Sequence, residues 1–211
     1  MPKGSKKATT PSYGEGREAL LQATVKVVAH GGLRALTYRA VAEEAGVAHA
    51  LVRFHFGSRD ALIVAATEYS LPEAIRVGGL ESTSTDVDDY ASGLSGVIVT
   101  EADLTAFQYE VILEARRRPE LRPVVRELYE AFWKTATDDL RQRGVAADEA
   151  MGVLVFAALD GLVFQSVSMN DPELGAAALE RLRQLLALAR AHPEAISGSA
   201  KRRKKSAKIS G

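Results

Sequence analysis

Residues 36–62 read LTYRAVAEEAGVAHALVRFHFGSRDAL, and this stretch decides the fold. Thr37 stands where a helix begins: its hydroxyl suits the first turn, and Leu36 before it and Val41 after it fit a hydrophobic staple. Position 40 is Ala, not Glu, so the reciprocal half of a capping box is missing. Gly46 breaks this helix after Ala45, and Val47 plugs the turn. A third helix is expected from Ala48 to about Phe54. Ser58 then caps a longer helix carrying Ala61, Leu62, Ala65 and Ala66. Upstream, Leu20, Ala23, Thr24, Val27 and Val28 recur at three- and four-residue steps until Gly31-Gly32 stops the run. Three short helices with a glycine turn between the second and third make a helix-turn-helix.

This motif needs small or apolar residues between its helices and polar residues on the outer face of the third. Val41, Ala42 and Ala45 pack toward Val47 and Leu51, which leaves His49, Arg53 and, in part, His55 outward. A helix of this size fits the major groove, where each base pair shows a distinct donor, acceptor and methyl pattern. Charge follows the same division. The formal net charge is zero, but residues 1–60 hold nine Lys/Arg against five Asp/Glu. Residues 61–197 hold twelve against twenty-two, and residues 198–211 hold six basic residues and no acidic one. A basic head on an acidic body suits a protein that places one end on a polyanion.

Away from the motif the expectation is all-α. Residues 1–13 and 198–211 are polar and basic, without an apolar pattern, and read as a disordered arm and tail. The tail carries Lys201-Arg202-Arg203-Lys204-Lys205 and Lys208, either a second polyanion contact or a solubilising extension. After Pro72 the chain is expected to loosen into a polar connection over residues 78–86. Helices are predicted over 87–99, 102–117, 120–143, 148–168 and 173–191, with Pro119 in the first turn of its helix. No segment alternates as a strand.

The run Leu36–Val47, continued by Phe54-His55-Phe56-Gly57-Ser58-Arg59-Asp60-Ala61-Leu62, resembles the N-terminal domain of the TetR (tetracycline-repressor-like) family. The likeness covers about residues 15–62. It implies an all-helical homodimer in which a three-helix helix-turn-helix DNA-binding domain (residues 14–60) precedes a larger helical ligand-binding and dimerisation domain (61–197). It also implies a repressor released from operator DNA by a small molecule. Carried over position by position, Thr37 touches a phosphate, His49, Leu51 and Val52 face the groove, His55 reaches the backbone, and Arg59 is a phosphate anchor. Arg39 and Arg53 join them as DNA-binding candidates from the basic domain. Two positions depart from the family pattern: Ala48 stands where Ser or Thr is common, and Arg53 where Tyr is common.

The body carries Phe107, Tyr109, Tyr129, Phe132, Trp133, Phe156 and Phe164 on aliphatic helix faces. Singly, each reads as core. Together with Glu110 and Asp160 they are candidates to line a small-molecule pocket, with Phe107, Glu110, Trp133, Phe156 and Asp160 as the ligand-binding set. Asp160 lies in the apolar run 155–164, where a carboxylate needs a hydrogen bond or a partner charge and can as well serve a neighbouring backbone. The broad apolar faces at 148–168 and 173–191 exceed what one partner helix needs, so two copies are expected to pair through them around a palindromic operator.

Other functional classes have little support. There is no cysteine, the four histidines (30, 49, 55 and 192) are scattered, and no metal-ligand, phosphate-loop or nucleophile-elbow motif occurs. Neither metal, cofactor nor catalysis is expected. The basic N-terminus lacks the apolar core of a secretory signal, and no run approaches ~18 consecutive apolar residues, so the expectation is a cytoplasmic protein without a membrane span. The competing reading is a ligand-independent architectural DNA protein that relies on its basic tail.

Overall fold

The computed structural model describes residues 13–77, 84–94, 101–169, 171 and 173–196. The expected arm and tail, apart from Tyr13, lie outside the described residues, as do residues 78–83 of the polar connection. Every regular element among the described residues is helical. In chain order these are α1 (Tyr13–Ala35), α2 (Tyr38–Ala45), α3 (His49–Phe56) and α4 (Arg59–Val77). They are followed by α5 (Ala102–Ala115), α6 (Arg122–Gln142), α7 (Glu149–Met169), α8 (Ala176–Ala191) and a last turn, α9 (Pro193–Ile196). Single 3-10 turns occupy Val87–Asp89 and Pro119–Leu121.

One sequence expectation is corrected: residues 87–93 of the helix expected over 87–99 form a 3-10 turn and further turns, and residues 95–99 lie outside the described residues. Asp86 accepts from the Asp88 amide (3.2 Å), and Ser84 donates to Asp89 (2.7 Å), so short polar side chains compete with the helical ladder and close a 3-10 turn instead. Helix α4 runs through Pro72 to Val77, the residue before the expected polar connection. A proline within a long helix can kink it without ending it. Helix α7 is long and apolar enough to cross a membrane by length and composition, although Asp160 interrupts its apolar run as the sequence shows.

The chain divides into two compact units. Among the described residues, the first comprises 13–74 and 101–128. Its core joins Leu20, Leu21 and Val28 of α1, Val41 of α2, Val52 of α3, Leu62 and Ile63 of α4, and Phe107 and Val111 of α5. Helix α1 packs against α2 and α5, and α2 against α3. The chain of α1 is interrupted at Gly32 (φ 65°, ψ 176°), within the Gly31-Gly32 pair expected to end it.

The second unit comprises the described residues from 75 to 94 and from 129 to 196. Phe132, Ala136 and Leu140 of α6 are buried with Val155, Phe156, Leu159 and Val163 of α7, and with Leu179 and Leu186 of α8. Gly152 sets the α6–α7 approach. A Cβ there would lie 1.9 Å from Thr137 Oγ1 and 3.0 Å from the Trp133 carbonyl oxygen, so only hydrogen fits. Helix α8 packs on the 3-10 turn at 87–89, and the Arg183 Nε donates to the Tyr90 carbonyl (2.9 Å). A buried ion pair sits in this unit: Arg143 Nε donates to Asp139 Oδ2 at 2.9 Å.

Candidate nucleic-acid interface

The helix-turn-helix is held by short-range backbone chemistry. Thr37 lies in extended conformation (φ −128°, ψ 154°), and its Oγ1 accepts from the Ala40 amide at 3.1 Å. Gly46 closes α2 in the left-handed region (φ 66°, ψ 30°), and Val47 N–H returns to the Ala42 carbonyl (3.0 Å). No atom lies within 4 Å of a Cβ built on Gly46, so backbone conformation, not space, selects glycine here. Ser58 Oγ accepts from the Ala61 amide (3.1 Å) and caps α4. Ala48, by contrast, gives α3 no side-chain cap.

Burial divides α3 sharply. Val52 and Phe56 point into the first unit, Leu51 and His55 are half-buried, and His49, Ala50, Arg53 and Phe54 are exposed. The guanidinium of Arg17 lies 5.4 Å from the Phe56 ring centroid and covers it from α1. Leu51 Cδ2 lies 3.8 Å from where a Cβ on Gly16 would stand, so Leu51 leans over the start of α1. Tyr38 ties the two helices of the motif. Its hydroxyl donates to the Gly57 carbonyl (3.0 Å), and its ring is 6.2 Å from that of His49.

The DNA-binding candidates therefore separate. Thr37, Arg39, His49 and Arg53 are exposed to solvent, and Leu51 and His55 are half-buried. Val52 does not belong among them: it is 0% exposed, because the face it occupies is the one that α3 turns to the core. Arg59 turns inward as well. Its Nε donates to the Leu36 carbonyl (3.0 Å) and its Nη2 to the Leu33 carbonyl, closing the end of α1. Arg39 pairs with Glu43 one turn on (2.8 Å), a solvated contact whose hydrogen bond and charge raise the Arg39 pKa further. Phe54 is the residue that sequence reading missed. At 70% exposure it stands beside Arg53 on the outer face, and its place one turn after Ala50 was the available signal.

The five ligand-binding candidates fall in two units. Phe107 is fully buried in the core of the first. Glu110, also in the first, accepts from the Leu33 amide (3.4 Å) and borders a polar cleft of about 640 Å³ with Gly31, Gly32, Arg34, Arg59 and Glu114. Trp133, Phe156 and Asp160 lie in the second unit. Phe156 stacks on Phe132 (centroids 4.8 Å apart), Tyr129 stacks on Trp133 (5.7 Å), and Tyr129 meets Phe156 edge to face (6.1 Å). Burial, and then the Asp160 carboxylate, raise the Tyr129 hydroxyl pKa, which places Asp160 in the field of this cluster. Trp133 also borders a charged cleft of about 310 Å³ with Lys134, Asp138 and Arg141.

Two family models match the chain. "Bacterial regulatory proteins, tetR family" covers residues 20–66, and "Tetracyclin repressor-like, C-terminal domain" covers residues 85–191. Among curated protein sequences none matches. Solved structures with the same fold include a proposed TetR-family transcriptional regulator from Rhodococcus sp., 24% identical, with a TM-score of 0.71 over 82% of this chain and 98% of that one. A TetR-family member from Streptomyces coelicolor A3 is 26% identical, with a TM-score of 0.66 over 82% and 98%. The multidrug binding protein EbrR, solved with proflavin, is 26% identical, with a TM-score of 0.58 over 82% and 99%. With its capped helix-turn-helix in the first unit and both family models spanning it in order, the chain belongs to the TetR family of DNA-binding bacterial transcription regulators.

Proposed function

We propose that the protein is a non-enzymatic, cytoplasmic, homodimeric repressor that reads a two-fold operator with α3 and releases it when a small molecule binds the second unit. The observation that carries this reading is the outer face of α3, where His49 and Arg53 stand free of the core on a helix-turn-helix. Thr37, Arg39, Leu51 and His55 would flank that contact. Arg59 would position α4 against the end of α1, since the donors it shows are engaged by protein carbonyls.

Pairing is supported by apolar side chains that one copy leaves in water. Leu154, Phe164 and Met169 of α7 and Leu185 and Leu188 of α8 are all exposed. Burying them against a second copy removes that cost, at roughly 25 cal/mol per Å² of apolar surface. The same coverage accounts for a helix as apolar as α7 without invoking a membrane. A ligand among Tyr129, Trp133, Phe156 and Asp160 is supported by the aromatic cluster and by EbrR, a multidrug binding protein of the same fold solved with proflavin.

The test is selection from random-sequence duplexes with the purified full chain, followed by footprinting and sedimentation. The expected result is a palindromic consensus with half-sites about one helical turn, or a multiple of it, apart, bound by a dimer. An unenriched pool, or a monomer at micromolar concentration, overturns the proposal. An operator preference that vanishes when residues 198–211 are removed would favour the architectural reading instead.

A further inference from the structure

The exposed side of α3 is made of two stripes. His49 and Arg53, four residues apart, form a polar stripe, while Ala50 and Phe54, also four apart, form an apolar one beside it. Phe54 is 70% exposed, among the most exposed large apolar side chains described. Its ring meets that of His55 edge on, with centroids 5.4 Å apart, so a neighbour steadies it in water. Phe54 is not part of the first unit's described core. Removing it would take away no core contact, whereas Val52 and Phe56 on the same helix carry the packing.

We infer that Phe54, with Ala50 behind it, is a specificity-determining residue that reads the 5-methyl group of a thymine in the major groove. This rests on the DNA-reading assignment of α3 and adds the base feature it recognises. The major-groove edges of a base pair carry hydrogen-bonding atoms, and only thymine adds a methyl group to them. A stripe with no donor or acceptor can gain from that edge only by burying the methyl. The adjacent polar stripe suits what surrounds it, since Arg53 meets either a guanine edge or a phosphate. DNA is the occupant this face fits, because the apolar stripe is two residues wide and bounded by an imidazole and a guanidinium. A protein partner would be expected to bury a wider apolar patch.

The experiment uses the full chain and the duplex obtained by selection. Each thymine of a half-site is replaced in turn by uracil, which deletes the methyl and leaves every hydrogen-bonding atom in place. Wild type, Phe54→Ala and Phe54→Leu are titrated on each duplex. Wild type is expected to lose about fourfold in affinity at one thymine, the factor that follows from roughly 0.8 kcal/mol per buried carbon. Phe54→Ala should bind the parent operator more weakly and show no further loss, within twofold, at that thymine. Phe54→Leu should keep part of the sensitivity. Unchanged helical circular dichroism and melting temperature will confirm that the variants fold. Wild-type indifference to every uracil, a selected operator without thymine, or the same loss in Phe54→Ala as in wild type overturns the inference while leaving operator binding intact. Failure to enrich any duplex overturns the operator-reading assignment itself, and this inference with it.

Discussion

Replacing Arg143 by Met should be among the most costly single changes in the second unit. The Arg143 side chain is 0% exposed and Asp139 3%, with 2.9 Å between Nε and Oδ2. The guanidinium also donates through Nη1 to the Asp86 carbonyl and lies 5.5 Å from the centre of the Tyr90 ring. It therefore pins the 84–94 segment to the end of α6 as well as neutralising a carboxylate. Removing one partner of a buried pair typically costs about 3–5 kcal/mol, because the other charge stays buried and unpaired. Against a domain stability of about 5–15 kcal/mol, that is a large share.

The deficit should depend on pH. Burial raises the Asp139 pKa above its ordinary value even with Arg143 in place, although Arg143 opposes the shift. Without the arginine the folded-state pKa rises further. A carboxyl whose pKa is raised on folding contributes full stability below its unfolded value, near ~4, and loses it as pH rises through the folded value. The penalty of Arg143→Met should thus be largest at pH 7 and shrink toward pH 4–5. Urea unfolding of wild type, Arg143→Met, Asp139→Leu and the double variant measures this, with the double variant expected less destabilised than the sum of the singles. A single-variant loss below ~1 kcal/mol at pH 7, with no pH trend, would refute the account.

Thr37→Ala should lower stability by about 0.5–2 kcal/mol by removing the α2 cap, and Thr37→Ser should restore most of it in a thermal melt. Gly152→Ala forces a carbon onto Thr137, and an overpacking loss of about 1–3 kcal/mol is expected in urea, partly relieved by adding Thr137→Ala. Arg53→Ala and Arg59→Ala should separate on a salt series. The first lowers the slope of log affinity against log salt by up to about one if its cation meets a phosphate, whereas the second leaves the slope and lowers the melting temperature. Leu185→Glu, on the exposed face of α8, should shift sedimentation from dimer to monomer, since it places a charge where two copies would bury leucine.

What the sequence determined by itself was local. The Thr37 and Ser58 caps each join a hydroxyl to an amide three residues on, and Gly46 answers to the sign of one φ angle, so residue type and spacing sufficed. The helical character of α5 to α8 followed in the same way from apolar periodicity. Which side of each helix met protein was decided only in three dimensions. Leu51 and Val52 are neighbours about 100° apart on one helix, and only the placement of α1 and α2 shows that Val52 takes the core while Leu51 sits at its edge. Arg59 has the residue type and position of a phosphate ligand, yet the Leu33 and Leu36 carbonyls at the end of α1 lie within its reach and claim it. Phe54 is an ordinary core residue by composition, and only packing reveals that its side was left uncovered. Arg143 and Asp139 are four apart on the chain, as surface pairs often are. Their burial depends on the 84–94 segment and Tyr90 closing over them from more than fifty residues away, a contact for which no local pattern exists.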